Sequence, residues 1–85
     1  MEVRYTNSAK RSLRRISANK AKSVIEGMKD VAQNPFATDN NRAPLQGVEN
    51  GFRKRFGDLR VLYTVDTKVR ILEVFKIGNR GEIYK

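Results

Sequence analysis

Gly51-Phe52-Arg53-Lys54-Arg55-Phe56-Gly57-Asp58-Leu59-Arg60-Val61-Leu62-Tyr63-Thr64-Val65-Asp66 is where the chain changes from helical periodicity to the two-residue period of strands. Phe52–Phe56 and Leu59–Asp66 read as strands, and Gly57-Asp58 between them is short enough for a hairpin turn. Asp66-Thr67-Lys68 makes a second connection to a third strand over Val69–Ile77, so the three form an antiparallel meander. Alternation sends Phe52, Lys54 and Phe56 to one face and Arg53 with Arg55 to the other. Val61, Tyr63, Val65, Ile71, Phe75 and Ile77 are the expected sheet core.

Upstream, Glu2-Val3-Arg4-Tyr5-Thr6 alternates as a short strand that can add to an edge of the meander. Asn7 or Ser8 can cap a helix over Ser8–Ser17, where Ala9, Leu13 and Ile16 recur at i, i+4 and i+7. A second helix fits Ala18–Gln33, with Ala21, Val24, Ile25, Met28, Val31 and Ala32 as its apolar face. Ser17 or Asn19 can cap it, and Asn34-Pro35 ends it, because the residue before proline avoids helical angles. Pro35–Asn50 holds both prolines and reads as a long irregular connection, with Ala43-Pro44-Leu45 packing back on the core. Gly78-Asn79-Arg80-Gly81 reads as a turn and Glu82–Lys85 as an extended tail. The order β-α-α-β-β-β predicts one α+β domain over residues 1–85, a two-helix hairpin packed on a four-stranded, mainly antiparallel sheet.

A chain of 85 residues supports one small core. It has no cysteine and no histidine, which excludes disulfides, thiolate metal sites and a histidine-based triad. No apolar run approaches the roughly 20 residues that span a bilayer, and no signal-peptide core opens the chain, so a cytoplasmic protein without membrane contact is expected. The net charge is +9, with 18 Lys+Arg against 9 Asp+Glu. Residues 1–50 contribute +4 (nine basic, five acidic) and residues 51–85 contribute +5 (nine basic, four acidic), so the second part is the denser basic surface. Such an excess calls for a polyanionic or acidic partner.

Five residues are candidates for chemistry. Arg53 and Arg55 project together, Arg60 joins them across the hairpin, and Arg80 with Tyr84 lies just beyond the last strand. Four guanidiniums and a phenol gathered in this way make a phosphate-binding surface. Taken alone, Arg53 and Arg55 favour a solvated strand face or a plain nucleic-acid contact over an active site. Arg11, Arg14 and Arg15, with Lys10, read as a solvated helix face or as an additional RNA contact, and Lys54 is a further RNA-binding candidate.

The element order, together with Pro44-Leu45-Gln46-Gly47, Gly51-Phe52-Arg53-Lys54-Arg55, Gly57-Asp58-Leu59-Arg60-Val61-Leu62-Tyr63 and Ile77-Gly78-Asn79-Arg80-Gly81-Glu82-Ile83-Tyr84, resembles the RelE/ParE toxin superfamily, its RelE-like branch above all. The resemblance spans essentially the whole chain. It implies a toxin of a bacterial type II toxin–antitoxin system: a ribosome-dependent endoribonuclease that cuts mRNA in the ribosomal A site and is silenced by a cognate antitoxin. It implies no metal and no cofactor. By motif, Arg53 and Arg55 stand at the two basic strand positions, Arg60 at the following arginine, Arg80 at the arginine after the Ile-Gly turn and Tyr84 at the terminal tyrosine. The RelE archetype carries lysines where this chain has Arg53 and Arg55. Arginine, with a pKa above about 12, cannot serve as the base that a lysine could.

The resemblance then implies a division of labour in which Arg60, helped by Arg53 and Arg55, stabilises the phosphorane. Arg80 serves the leaving oxygen, and Tyr84 acts as base or stacking platform. Operator DNA would be met only through the antitoxin complex. Two other readings stand beside this one: a ParE-like, non-nucleolytic toxin acting on DNA gyrase, and a basic ribosome- or RNA-binding protein without activity. Codon preference, antitoxin identity, stoichiometry and oligomeric state have no signature in the sequence.

Overall fold

A computed structural model describes residues 1–79. The elements run β1 (Glu2–Tyr5), α1 (Asn7–Arg15), α2 (Ala18–Gln33), β2 (Arg42–Pro44), β3 (Gly51–Phe56), β4 (Leu59–Asp66) and β5 (Ile71–Asn79). They form one sheet in the order β1-β5-β4-β3-β2, with β1 parallel to β5 and every other pair antiparallel. The fold class is the expected α+β, with five strands where four were expected. The extra strand, β2, lies inside the connection read as irregular. It has three residues and includes a proline, too little for a period to show.

Thr6, rather than Asn7 or Ser8, caps α1: its Oγ1 accepts from the Ala9 N–H at 3.1 Å. Ser17 caps α2, its Oγ accepting from the Lys20 N–H at 3.3 Å, and α2 ends at Gln33 before Asn34-Pro35 as the sequence predicts. At the outer edge of the sheet, the Arg42 N–H donates to the Asp39 carbonyl at 3.2 Å and Pro44 has no N–H. β2 therefore offers few donors to a further strand, which blunts the edge.

Both helices cover one face of the sheet. Ala9, Val24, Met28 and Ala32 pack there on Leu59, Val61, Tyr63, Val65, Leu72, Val74 and Ile77. Phe52 stacks on Tyr63 with ring centroids 5.6 Å apart. Ile71 and Phe75 are not core residues; Leu72 and Val74 take their place. The cause is a bulge: Leu62 pairs with Lys76 but Tyr63 pairs with Val74, so Phe75 is the extra residue and the parity of β5 reverses around it.

Gly27 lies in the middle of α2, where glycine costs about 1 kcal/mol relative to alanine. The reason is packing, since a methyl group there would overlap the Phe56 ring. Gly27→Ala is expected to be destabilising by about 1 kcal/mol net, because overpacking of about 1–3 kcal/mol exceeds the propensity gain. Urea unfolding measures it, and a stabilised variant would show that the ring moves aside freely.

A candidate active site on the open face of the sheet

The face of the sheet away from the helices carries Arg53, Arg55, Arg60 and Lys76 in two cross-strand rows. Arg55, Arg60 and Gly78 form one row across β3, β4 and β5. Ala43, Arg53, Leu62 and Lys76 form the next, across β2 to β5. A cleft of about 450 Å³ opens between Asn41, Ala43, Arg53, Arg55 and Arg60. The structure thus brings together the three described arginines of the expected cluster.

The geometry is held from the backbone. The Arg55 N–H donates to the Asn41 carbonyl at 2.9 Å, and its Nη2 donates to Asn41 Oδ1 at 3.4 Å. Arg60 Nη1 donates to the carbonyls of Gly57 at 3.3 Å and Leu59 at 3.2 Å, which folds its guanidinium over the β3–β4 turn. Gly57 adopts φ +62° in that two-residue turn, a position glycine takes without strain. Arg55 and Arg60 sit directly opposite one another. Like charges at such a pair destabilise a sheet, so this arrangement is not one that folding favours by itself. A bound phosphate would reverse the sign of the interaction.

Lys54 faces the other way, as alternation predicts, and is not available in the cleft. Its ammonium pairs with Asp39 and lies 5.4 Å from the centroid of the Phe56 ring. Asp39 is a hub for the wall of the cleft: its Oδ1 accepts from the Asn41 N–H at 2.8 Å, and its carbonyl accepts from the Arg42 N–H. Arg42 in turn lies 5.1 Å from the Phe52 ring centroid and donates to the Pro35 carbonyl. The Lys54 hydrogen bond, then that of the Asn41 backbone, holds the Asp39 carboxyl below its ordinary value. The corresponding stability is fully present above the ordinary carboxylate range, at about 4, and is lost as pH falls through the depressed folded value. Asp39→Asn is therefore expected to lower the urea midpoint at pH 7 and to lose less stability than wild type between pH 7 and acid. Equal acid losses in both chains would show that the pair does not contribute.

Arg11, Arg14 and Arg15 are exposed on α1, in the helix layer and not on the open face. The structure therefore does not gather them with the cleft. Arg80 and Tyr84 lie outside the described residues. Asn41 and Asp39 escape sequence reasoning because nothing in an irregular connection signals a partner 14 or 15 residues away. Burial pushes the hydroxyls of Tyr5 and Tyr63 up from their ordinary value, and both tyrosines belong to the helix side of the sheet.

The sequence model of the ParE toxin of type II toxin–antitoxin systems matches residues 3–84. The chain belongs to the ParE toxin family, within the RelE/ParE superfamily. It is a toxin of the type II toxin–antitoxin class. No curated protein sequence matches it. Among solved structures, it resembles the RelBE2 toxin–antitoxin complex of Mycobacterium tuberculosis at 25% identity, covering 93% of this chain and 96% of that one with a TM-score of 0.76. The archaeal RelE–RelB complex of Pyrococcus horikoshii matches at 22% identity over 94% of each chain, with a TM-score of 0.81. A YoeB/ParE toxin from Agrobacterium tumefaciens matches at 21% identity over 94% of this chain and 99% of that one, with a TM-score of 0.77. The toxin's five-stranded sheet and helix pair are thus the RelE-like fold. No helix among its described residues is long and apolar enough to cross a membrane.

Proposed function

We propose that this toxin is a ribosome-dependent endoribonuclease that cuts mRNA in the ribosomal A site. The observation that carries the reading is the open-face cleft lined by Arg53, Arg55 and Arg60, with Arg55 and Arg60 directly opposite in the register of β3 and β4. Metal-free RNA cleavage has three needs. A base takes the proton of the 2′-hydroxyl as its oxygen attacks phosphorus. Cations stabilise the phosphorane, and a proton reaches the 5′-oxygen as its bond to phosphorus breaks. Arg60, with Arg53 and Arg55, supplies the second. By resemblance, Arg80 serves the leaving oxygen and Tyr84 is the base or the platform that orients the sugar. A phenol of pKa about 10 is a usable base where cations favour its phenolate.

Such a site has weak acid–base groups and gains most from a substrate already held in attack geometry, which is what a ribosome with mRNA in its A site provides. When idle, a cluster of this charge needs a counter-surface. A cognate antitoxin segment, acidic and apolar, folding as it binds, meets that need. The complexes of similar proteins with RelB antitoxins support this partner. Operator DNA would be reached only through the antitoxin complex, and the ribosomal contacts would include rRNA. The basic face of α1, with Arg11, Arg14 and Arg15, is suited to those contacts.

The matched family carries the ParE description, which favours one other reading: a non-nucleolytic toxin acting on DNA gyrase. Adding the purified protein in parallel to a translation extract and to a gyrase supercoiling assay separates the two. The ribonuclease reading expects translation to stop and supercoiling to continue, and the opposite pattern would replace it.

A further inference from the structure

The bulge in β5 does more than displace Phe75. Without it, strict alternation from Val74 would put Lys76 in the core; with it, Ile77 enters the core and Lys76 turns to the open face. Bulges beside functional sites commonly re-aim a side chain in this way. Lys76 lies across from Leu62, which is buried yet not part of the core cluster, with Arg53 on the other side of Leu62. It is also diagonal to Arg60, so its ammonium extends the basic surface from the cleft across β4 onto β5. Lys76 is exposed and has no ion-pair or hydrogen-bond partner among the described residues. Lys54, on β3, is committed to Asp39 on the helix side. The other half of the open face is mixed in sign: Glu73 lies across from Arg4, and Arg4 pairs with Glu2.

We infer that Lys76 binds a backbone phosphate of single-stranded RNA next to the phosphate held by Arg53, Arg55 and Arg60, so that the RNA backbone crosses from β3 to β5. This rests on the RNA-binding part of the proposed function. Neutralising one phosphate releases condensed counterions. The slope of log affinity against log salt for single strands therefore changes by about 0.7 for each contact.

The test is fluorescence anisotropy of labelled hexauridylate with wild type, Lys76→Met and Lys68→Met, titrated over about 50–200 mM salt. Lys68 is exposed in the β4–β5 connection, at the far end of β4 from Arg60, and serves as the control for net charge. The slope of Lys76→Met is expected to be shallower than wild type by about 0.7, with that of Lys68→Met unchanged. On ribosomes, Lys76→Met should raise KM and leave kcat as in wild type. An unchanged slope in Lys76→Met overturns the inference, as does an equal change in both variants or a wild-type chain that does not bind the oligonucleotide. Cleavage of ribosome-bound mRNA by wild type is scored separately, so failure of the Lys76 contact is distinguishable from failure of the ribonuclease reading.

Discussion

Arg60→Ala is expected to reduce single-turnover cleavage of ribosome-bound mRNA by about 10²–10³-fold, the usual cost of removing one preorganised group from developing charge. The same variant is expected to be no less stable than wild type. Arg60 projects from the open face and its side chain bonds two carbonyls at the β3–β4 turn, while its cross-strand neighbour is another arginine. Removing it deletes those two exposed or half-buried bonds, each worth about 1 kcal/mol or less, and also relieves the like-charge pair. Loss of activity without loss of stability is what separates a catalytic arginine from a structural one. Thermal unfolding checks the second half, and a marked drop in Tm would assign Arg60 to the fold.

Tyr84→Phe has the other large expected effect, about 10²–10⁴-fold on the same rate, as for loss of a positioned general base. Its assignment comes from the family motif and from elimination within the matched motifs. Histidine is absent, Arg53 and Arg55 occupy the positions where a lysine could lose a proton, and Lys54 is paired behind the sheet. A tyrosine base predicts a wild-type rate that rises with pH until the phenol is ionised, and a Phe variant whose residual rate has lost that rise. If the phenol serves only as a stacking platform, Tyr84→Phe keeps most of the rate and the pH profile is unchanged. That result would remove the base assignment and leave the arginine assignments standing.

The legible parts of the fold were those with a long or sharply bounded period. The α2 stripe, with Ser17 before it and Asn34-Pro35 after it, marks Ala18–Gln33 at both ends. Leu59–Asp66 is fixed by Gly57-Asp58 and by alternation through Val61, Tyr63 and Val65. The orientation of Arg53 and Arg55 away from Phe52 and Phe56 follows from the same alternation, and so does their meeting with Arg60. Three features had no local signature. β2 is too short to show a period and has meaning only through its pairing with β3. The β5 bulge is a tertiary adjustment that exchanges Ile71 and Phe75 for Leu72 and Val74 in the core and delivers Lys76 to the open face. The Asp39–Lys54 pair joins a loop to a strand and braces the cleft wall.

The central claim is that the arginine face cuts RNA held by a ribosome. Mapping mRNA 5′ ends after adding purified protein to programmed ribosomes, with naked mRNA and Arg60→Ala as controls, tests it most directly. New ends confined to the ribosomal A site, absent from naked mRNA and lost in Arg60→Ala, are the predicted result. Folded, toxic protein that leaves both mRNA samples intact would contradict the claim and make the arginine face a binding surface for another target, with gyrase the first to examine.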